Sequence, residues 1–259
     1  VPFAGATNQC PEANISIGFC TIASNGFRCD DTTDWYRPSI AIGSCACSTT
    51  CHGLSVGICT QATGMGGTAV GVVSCATGTE STAIGRASCA TGGSSTASGY
   101  FARATGSKAT ASGFYALASG GCSSAFGHNS QATGNYSSGM GYKSCATGAD
   151  GTASGAYAKA TGAQSNAFGR LALASGVEST SIGQCTCASG NYSTAVGWRT
   201  QASGLKATAV GHLGATASGS YSSAFGFCVH ATTTKSTAIG YVAIASGSEA
   251  TAVGRYPTA

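Results

Sequence analysis

Glycine returns every fourteen residues, and that return restricts the chain to repeat architectures. It stands at Gly43, Gly57, Gly71, Gly85, Gly99, Gly113, Gly127, Gly141, Gly155, Gly169, Gly183, Gly197 and Gly211. It resumes at Gly226, Gly240 and Gly254 after one extra residue near Ala215. Gly18 opens the series, 25 residues before Gly43, which is one repeat of 14 plus an insertion of 11. With this glycine numbered position 11, a typical repeat is Cys75-Ala-Thr-Gly-Thr-Glu-Ser-Thr-Ala-Ile-Gly-Arg-Ala-Ser88. It splits into two similar halves of seven, x-A-T-G-x-x-S and T-A-x-G-x-x-A/S. Position 4 is also glycine, except at Pro11, Asn25, Thr50 and Thr233.

Each half reads as a short extended run, a glycine and a corner, since glycine permits the positive φ or the close approach that a sharp corner needs. Two strands and two corners per repeat predict one flattened turn of a parallel β-coil. Positions 2 and 9 are nearly always alanine, as in Ala76 and Ala83, and lie between outward neighbours. They therefore point inward, and the core is thin. The expected fold is all-β, a parallel β-solenoid of 14-residue coils with two short strands per coil. One domain spans residues 1–259, with residues 26–36 a loop inserted between the strands of an N-terminal coil. At about 4.8 Å per coil, roughly 17 coils make a rod of about 80 Å. A helix is excluded, because glycine every seven residues costs it about 1 kcal/mol each. Calcium-binding nonapeptide repeats are excluded by turns that lack their aspartates, and collagen by the wrong glycine spacing.

Only 8 % of residues are charged and the net charge is +4, scattered rather than striped, so nucleic acid is not an expected partner. No apolar run approaches the ~20 residues of a membrane span. Fourteen cysteines point to an oxidising compartment. The closest pairs, Cys45/Cys47 and Cys185/Cys187, are C-x-C rather than the C-x-x-C of zinc sites. The chain begins with Val1 rather than Met, compatible with a removed leader or a cut end.

The segments S-T-A-I-G (81–85, 236–240), S-T-A-V-G (193–197) and A-T-A-V-G (207–211, 250–254), with the intervening A-T-G and A-S-G triplets, resemble the head repeats of YadA-like trimeric autotransporter adhesins. The resemblance runs from about Asn8 to Ala259. It implies a left-handed parallel β-roll, three chains packed side by side, and a surface-adhesive role.

Positions 8 and 10 share one outward face. Position 10 carries an apolar column that includes Ile84, Phe126, Met140, Phe168, Ile182, Val196, Val210, Phe225, Ile239 and Val253, the expected oligomer interface. Position 3 is a ladder of hydroxyls, Thr63, Thr77, Thr91, Thr105, Ser119, Thr133, Thr147 and Thr161. It suggests ice binding as an alternative, against the simpler reading that threonine suits a solvated sheet. Corners after position 11 collect aromatics such as Tyr100, Phe114, Trp198, Phe227 and Tyr241, fit to form a stabilising ring ladder, a lateral contact or a glycan-binding strip.

Equivalent residues of adjacent coils are close enough for disulfides. Cys75–Cys89 is the expected pair, while Cys45–Cys59 competes with Cys20–Cys45 and with bonds to Cys47, Cys29 or Cys51. Cys122, Cys145 and Cys228 have no ladder neighbour of their kind and are candidates for bonds between chains or buried thiols. Asn14, Asn135 and Asn191 begin sequons, candidate glycosylation sites. Asp30, Asp31 and Asp34 in the insertion read as an acidic surface loop or a cation site. His52, His128, His212 and His230 form no catalytic set with the sparse carboxylates, so neither enzyme activity nor a cofactor nor a metal is expected.

In register, Thr258-Ala259 begins a coil and Val1 to Thr7 is close to a lone second half, which predicts end-to-end stacking unless the chain was cut there. The sequence thus predicts a structural, self-associating extracellular or cell-surface fibre with an adhesive role. Its alternative is the head of a trimeric adhesin, with host matrix or glycans as candidate partners.

Overall fold

The computed structural model describes residues 14–24 and 38–259. The inserted loop, with Cys29, Asp30, Asp31 and Asp34, lies outside the described residues, as do Cys10, Pro11 and Asn25. Among the described residues all regular structure is β, the strands pair in parallel, and no helix is present. The chain is a parallel β-solenoid with a turn of about fourteen residues. It divides into two compact units, Val1–Asn129 and Ser130–Ala259.

In the first unit each coil supplies a two-residue strand at positions 1–2 and a longer strand that starts at position 8. Cys75–Ala76 and Thr82–Ile84 are one such pair. The partner of each residue lies one repeat onward: Thr82 opposite Thr96, Ala83 opposite Ala97, Cys75 opposite Cys89. The ladder holds across the insertion, where Ile15, Ser16 and Ile17 face Ile40, Ala41 and Ile42. The second unit repeats the plan from Gln131–Ala132 to Thr251–Arg255. Its extra residue is taken up at Gly214, with φ +88, and beyond it Thr208, Ala209 and Val210 pair in register with Ser223, Ala224 and Phe225.

Alanines at positions 2 and 9 fill the interior of both units. Ala76, Ala83, Ala90 and Ala97 are fully buried in the first, and Ala195, Ala202, Ala209 and Ala217 in the second. Positions 7 and 14 are buried too, and mostly carry hydroxyls. Some serines at position 7 close the corner by donating to the position-4 carbonyl, as Ser95 to Gly92 and Ser165 to Gly162, each at 2.7 Å, whereas the buried hydroxyls of Ser81, Ser179 and Ser193 have no partner. Among the described residues Val229 is the largest fully buried side chain, a size that fits an interior built for methyl groups.

The two glycines of a coil serve different needs. At position 11 the backbone has positive φ, +125° at Gly85, and a Cβ there would lie 2.5 Å from the Gly99 carbonyl oxygen. At position 4 φ is not positive, and of the two uses expected of a corner glycine the close approach applies. Glycine is required at Gly92 because a Cβ would lie 1.9 Å from the Gly106 carbonyl oxygen in the next coil. The described exceptions at position 4, Thr50 and Thr233, each donate their hydroxyl to the position-4 glycine carbonyl of the next coil, Gly64 and Gly247.

The left-handed turn of each described corner falls at positions 6 and 13, on glycine at Gly66 (φ 69°) and otherwise on non-glycine residues such as Glu80 (φ 54°) and Ala87 (φ 54°). Such residues pay about 1–2 kcal/mol for that conformation. The corner offsets the cost by aiming their N–H groups at the preceding coil: Glu80 donates to the Met65 carbonyl at 2.6 Å and Ala87 to that of Val72 at 2.8 Å. The corners thereby continue the hydrogen-bond ladder between coils that the short strands begin.

Candidate interaction surfaces

Inward alanines at position 9 force positions 8 and 10 outward, so the apolar column is exposed in each unit. In the first, Ile84 is 45 % and Phe126 42 % exposed; in the second, Met140, Phe168, Ile182, Phe225, Ile239 and Val253 are exposed and Val196 and Val210 partly so. Several strands run on to position 12, which places a second side chain on the same outward face. In Thr194–Trp198 that pair is Val196 and Trp198, and in Ser223–Phe227 it is Phe225 and Phe227. Serines interrupt the row, among them Ser98, Ser112 and Ser154, each partly buried.

The aromatic corners stack along the coil direction. In the first unit Tyr100 lies over Phe114 (5.0 Å between centroids) and Phe114 over His128 (4.8 Å), with Arg86 at the Tyr100 ring. Phe101 and Tyr115 form a second, parallel stack at 5.0 Å. In the second unit His212, Phe227 and Tyr241 stack in turn, with Trp198 tilted against His212, Tyr256 edge-on to Tyr241, Arg199 over Trp198 and Arg255 over Tyr241 and Tyr256. In the stacked pairs the ring faces are turned to one another. The arrangement therefore favours stabilisation of the corner over a platform for sugar rings.

The position-3 hydroxyls lie just beyond the two-residue strands. The position-1 row beside them mixes Gln61, Cys75, Arg103 and Leu117 in the first unit, so the hydroxyls share their face with bulky and charged groups. Nothing in that geometry favours ice binding.

Cys75 and Cys89 face each other in register on adjacent strands. Burial, and then the neighbouring Cys89 thiol, push the Cys75 thiol up to about 11. Cys20, Cys45 and Cys59 occupy position 13 of successive coils and are exposed. Cys145 stands between Gln131 and Lys159; burial raises its thiol and the Lys159 ammonium opposes the rise. Cys228 Sγ donates to the Leu213 carbonyl at 2.8 Å, and Cys122 is exposed. Burial likewise raises Cys47 and Cys187.

Of the sequon asparagines, Asn135 and Asn191 are exposed. Asn14 accepts from the Ser39 N–H at 2.9 Å, and its Nδ2, the atom a glycan would join, is buried. Among the described residues no group of three or more His, Cys, Asp or Glu side chains is placed to hold a metal ion, and no helix is long and apolar enough to cross a membrane.

A parallel coil with small residues inside and paired corner glycines defines a class of solenoid repeat. The profile of the family described as "YadA head domain repeat (2 copies)" matches residues 62–88, 90–116, 118–144, 146–172, 188–212 and 231–256, more than half of the chain. The chain belongs to that family. No curated protein matches it.

Proposed function

We propose that this chain is the head region of a surface-exposed adhesin, in which copies associate side by side through the position-10 face and present the remaining faces to a target surface. The exposed apolar row carries this reading: side chains such as Phe168 and Phe225 lie outward on rigid strands, where a second copy would cover them. Family membership supports a set of three chains and an adhesive role on a cell surface. The fibre reading takes second place, because the lateral face accounts for the exposed apolar row and end-to-end stacking does not.

The role is structural rather than catalytic. The described carboxylates Glu80, Asp150, Glu178 and Glu249 all occupy position 6, on exposed corners of separate coils. The targets proposed are matrix proteins or glycans of a host surface. Asn135 and Asn191 are the sequons proposed to carry glycans, a reading supported by their exposure and, against Asn14, by the burial of its Nδ2.

Sedimentation equilibrium of the native chain tests the assembly. A mass of about 75 kDa, three times the 25.1 kDa of one chain, supports the reading. A 25.1 kDa monomer overturns it, and long filaments in the electron microscope replace it with the fibre. Retention on immobilised matrix proteins and glycans tests adhesion; failure to bind any of a broad panel counts against it.

A further inference from the structure

We propose that Cys75 and Cys89 form an intrachain disulfide, a covalent rung between two consecutive coils of the first unit. The inference is independent of the adhesin reading and rests on the ladder alone. Cys75 and Cys89 are directly opposed in a parallel pair, with Ala76 and Ala90 opposed beside them. Adjacent strands lie about 4.8 Å apart, inside the ~4.4–6.8 Å between Cα atoms that a disulfide spans. Both side chains lie on the outward side of their strands and are partly exposed, so an oxidant reaches them.

The pairing is also exclusive. The other ladder neighbour of Cys75 is Gln61, and that of Cys89 is Arg103. Cys45, by contrast, has Cys20 and Cys59 on either side at the same coil position, so its partner is not decided by the fold. Cys47, Cys145 and Cys187 have no cysteine opposite them on either side.

The reaction is thiol–disulfide exchange with a small-molecule disulfide, for which oxidised glutathione serves as the probe. One thiolate of the pair attacks the glutathione disulfide and displaces a glutathione thiolate, leaving a mixed disulfide. The other thiolate attacks the protein-side sulfur, and the second glutathione leaves. Two cysteine thiols and one glutathione disulfide become one protein disulfide and two glutathione thiols, with the two cysteine protons passing through solvent to the departing thiolates. The product closes a short loop within the solenoid and restrains the unfolded chain there.

The wild-type sequence supplies its own assay. Cyanogen bromide cleaves after Met65 and trypsin after Arg86 and Arg103, so residues 66–86 hold Cys75 as their one cysteine and residues 87–103 hold Cys89 as theirs. The folded chain is incubated with oxidised glutathione at pH 8, remaining thiols are blocked with iodoacetamide, and the digest is kept free of reductant. The two peptides are expected as one species, two hydrogens lighter than their sum, which reductant separates. Recovery of either peptide alkylated, glutathionylated or joined to another cysteine as its main form overturns the proposal.

Discussion

The buried hydroxyls of Ser55 and Thr60 lie 2.7 Å apart, joining position 9 to position 14 across the interior of one coil. The same pair recurs between Ser181 and Thr186 at 2.7 Å, and between Ser16 and Thr21. Each described serine at position 9 therefore has a threonine at position 14 of its own coil. Thr200 has the threonine without the serine: its position-9 companion is Ala195, and Thr200 Oγ1 is buried with no hydrogen-bond partner. Ala195→Ser is expected to supply the partner and stabilise the fold by about 1 kcal/mol, whereas Ser181→Ala strands Thr186 and costs about 1–3 kcal/mol. Guanidinium unfolding midpoints read both. A lower midpoint for Ala195→Ser would mean that this coil has no room for the added oxygen.

Adjacent glycines should answer the same substitution in opposite ways. At Gly92 an added Cβ meets the Gly106 carbonyl oxygen, while at Gly93 it meets nothing within 4 Å, and neither residue has positive φ. Gly92→Ala is expected to cost about 3 kcal/mol or more through overpacking against a backbone that cannot yield. Gly93→Ala is expected to be neutral or stabilising by up to about 1 kcal/mol, through the loss of unfolded-state freedom. Thermal unfolding of the two variants side by side decides it; equal losses would contradict the assigned register.

In the second unit Phe227 sits between His212, at 5.8 Å, and Tyr241, at 4.9 Å. Phe227→Ala removes both contacts and half-buried apolar area, with an expected loss of about 2–3 kcal/mol. Glu249→Gln, which breaks only the exposed ion pair with Lys235, is expected to change stability by less than about 0.5 kcal/mol. A denaturation series that ranked Glu249 above Phe227 would contradict the view that stacking holds the corners.

The raised Cys75 thiol sets a pH dependence in the reduced protein. Its ordinary value is 9.0 and in the fold it is about 11, so the unfolded chain loses this proton first. The contribution to stability is whole below pH 9 and is lost progressively as the pH rises from about 9 towards 11. Alkylation of Cys75 in the folded chain should accordingly rise steeply above pH 10, following the fraction of thiolate. Iodoacetamide labelling of residues 66–86 against pH measures it. A labelling curve centred on 9 would show that Cys75 is neither desolvated nor crowded by Cys89.

The period of Gly43 to Gly254 and the alternation around Ala76 and Ala83 made the coil, its two strands and its inward faces legible in the sequence. Both are constraints that every turn must meet, so every turn repeats them. The left-handed corners at Glu80 and Ala87 were not legible: their conformation is imposed by hydrogen bonds to the preceding coil, and residue type there varies freely. The sequence offered positive φ or close approach for a corner glycine but not which of the two holds at Gly92, since the obstacle is a carbonyl fourteen residues away. The serine–threonine pairs were present as a co-occurrence of Ser55 with Thr60 and Ser181 with Thr186, but only the interior geometry gives that co-occurrence a meaning. The position-10 row was legible as outward and apolar, while the second copy proposed to cover it was implied only by the family resemblance, because the contacts it would make lie on another chain.

The lateral face is tested most directly by the mass of a variant in which Phe168 and Phe225 are both replaced by lysine. The side chains are exposed, so the fold and its β-sheet circular dichroism should be retained. The account predicts that the native chain sediments as a three-chain species and that this variant sediments as a monomer. An unchanged assembly in the folded variant would contradict the assignment of this face.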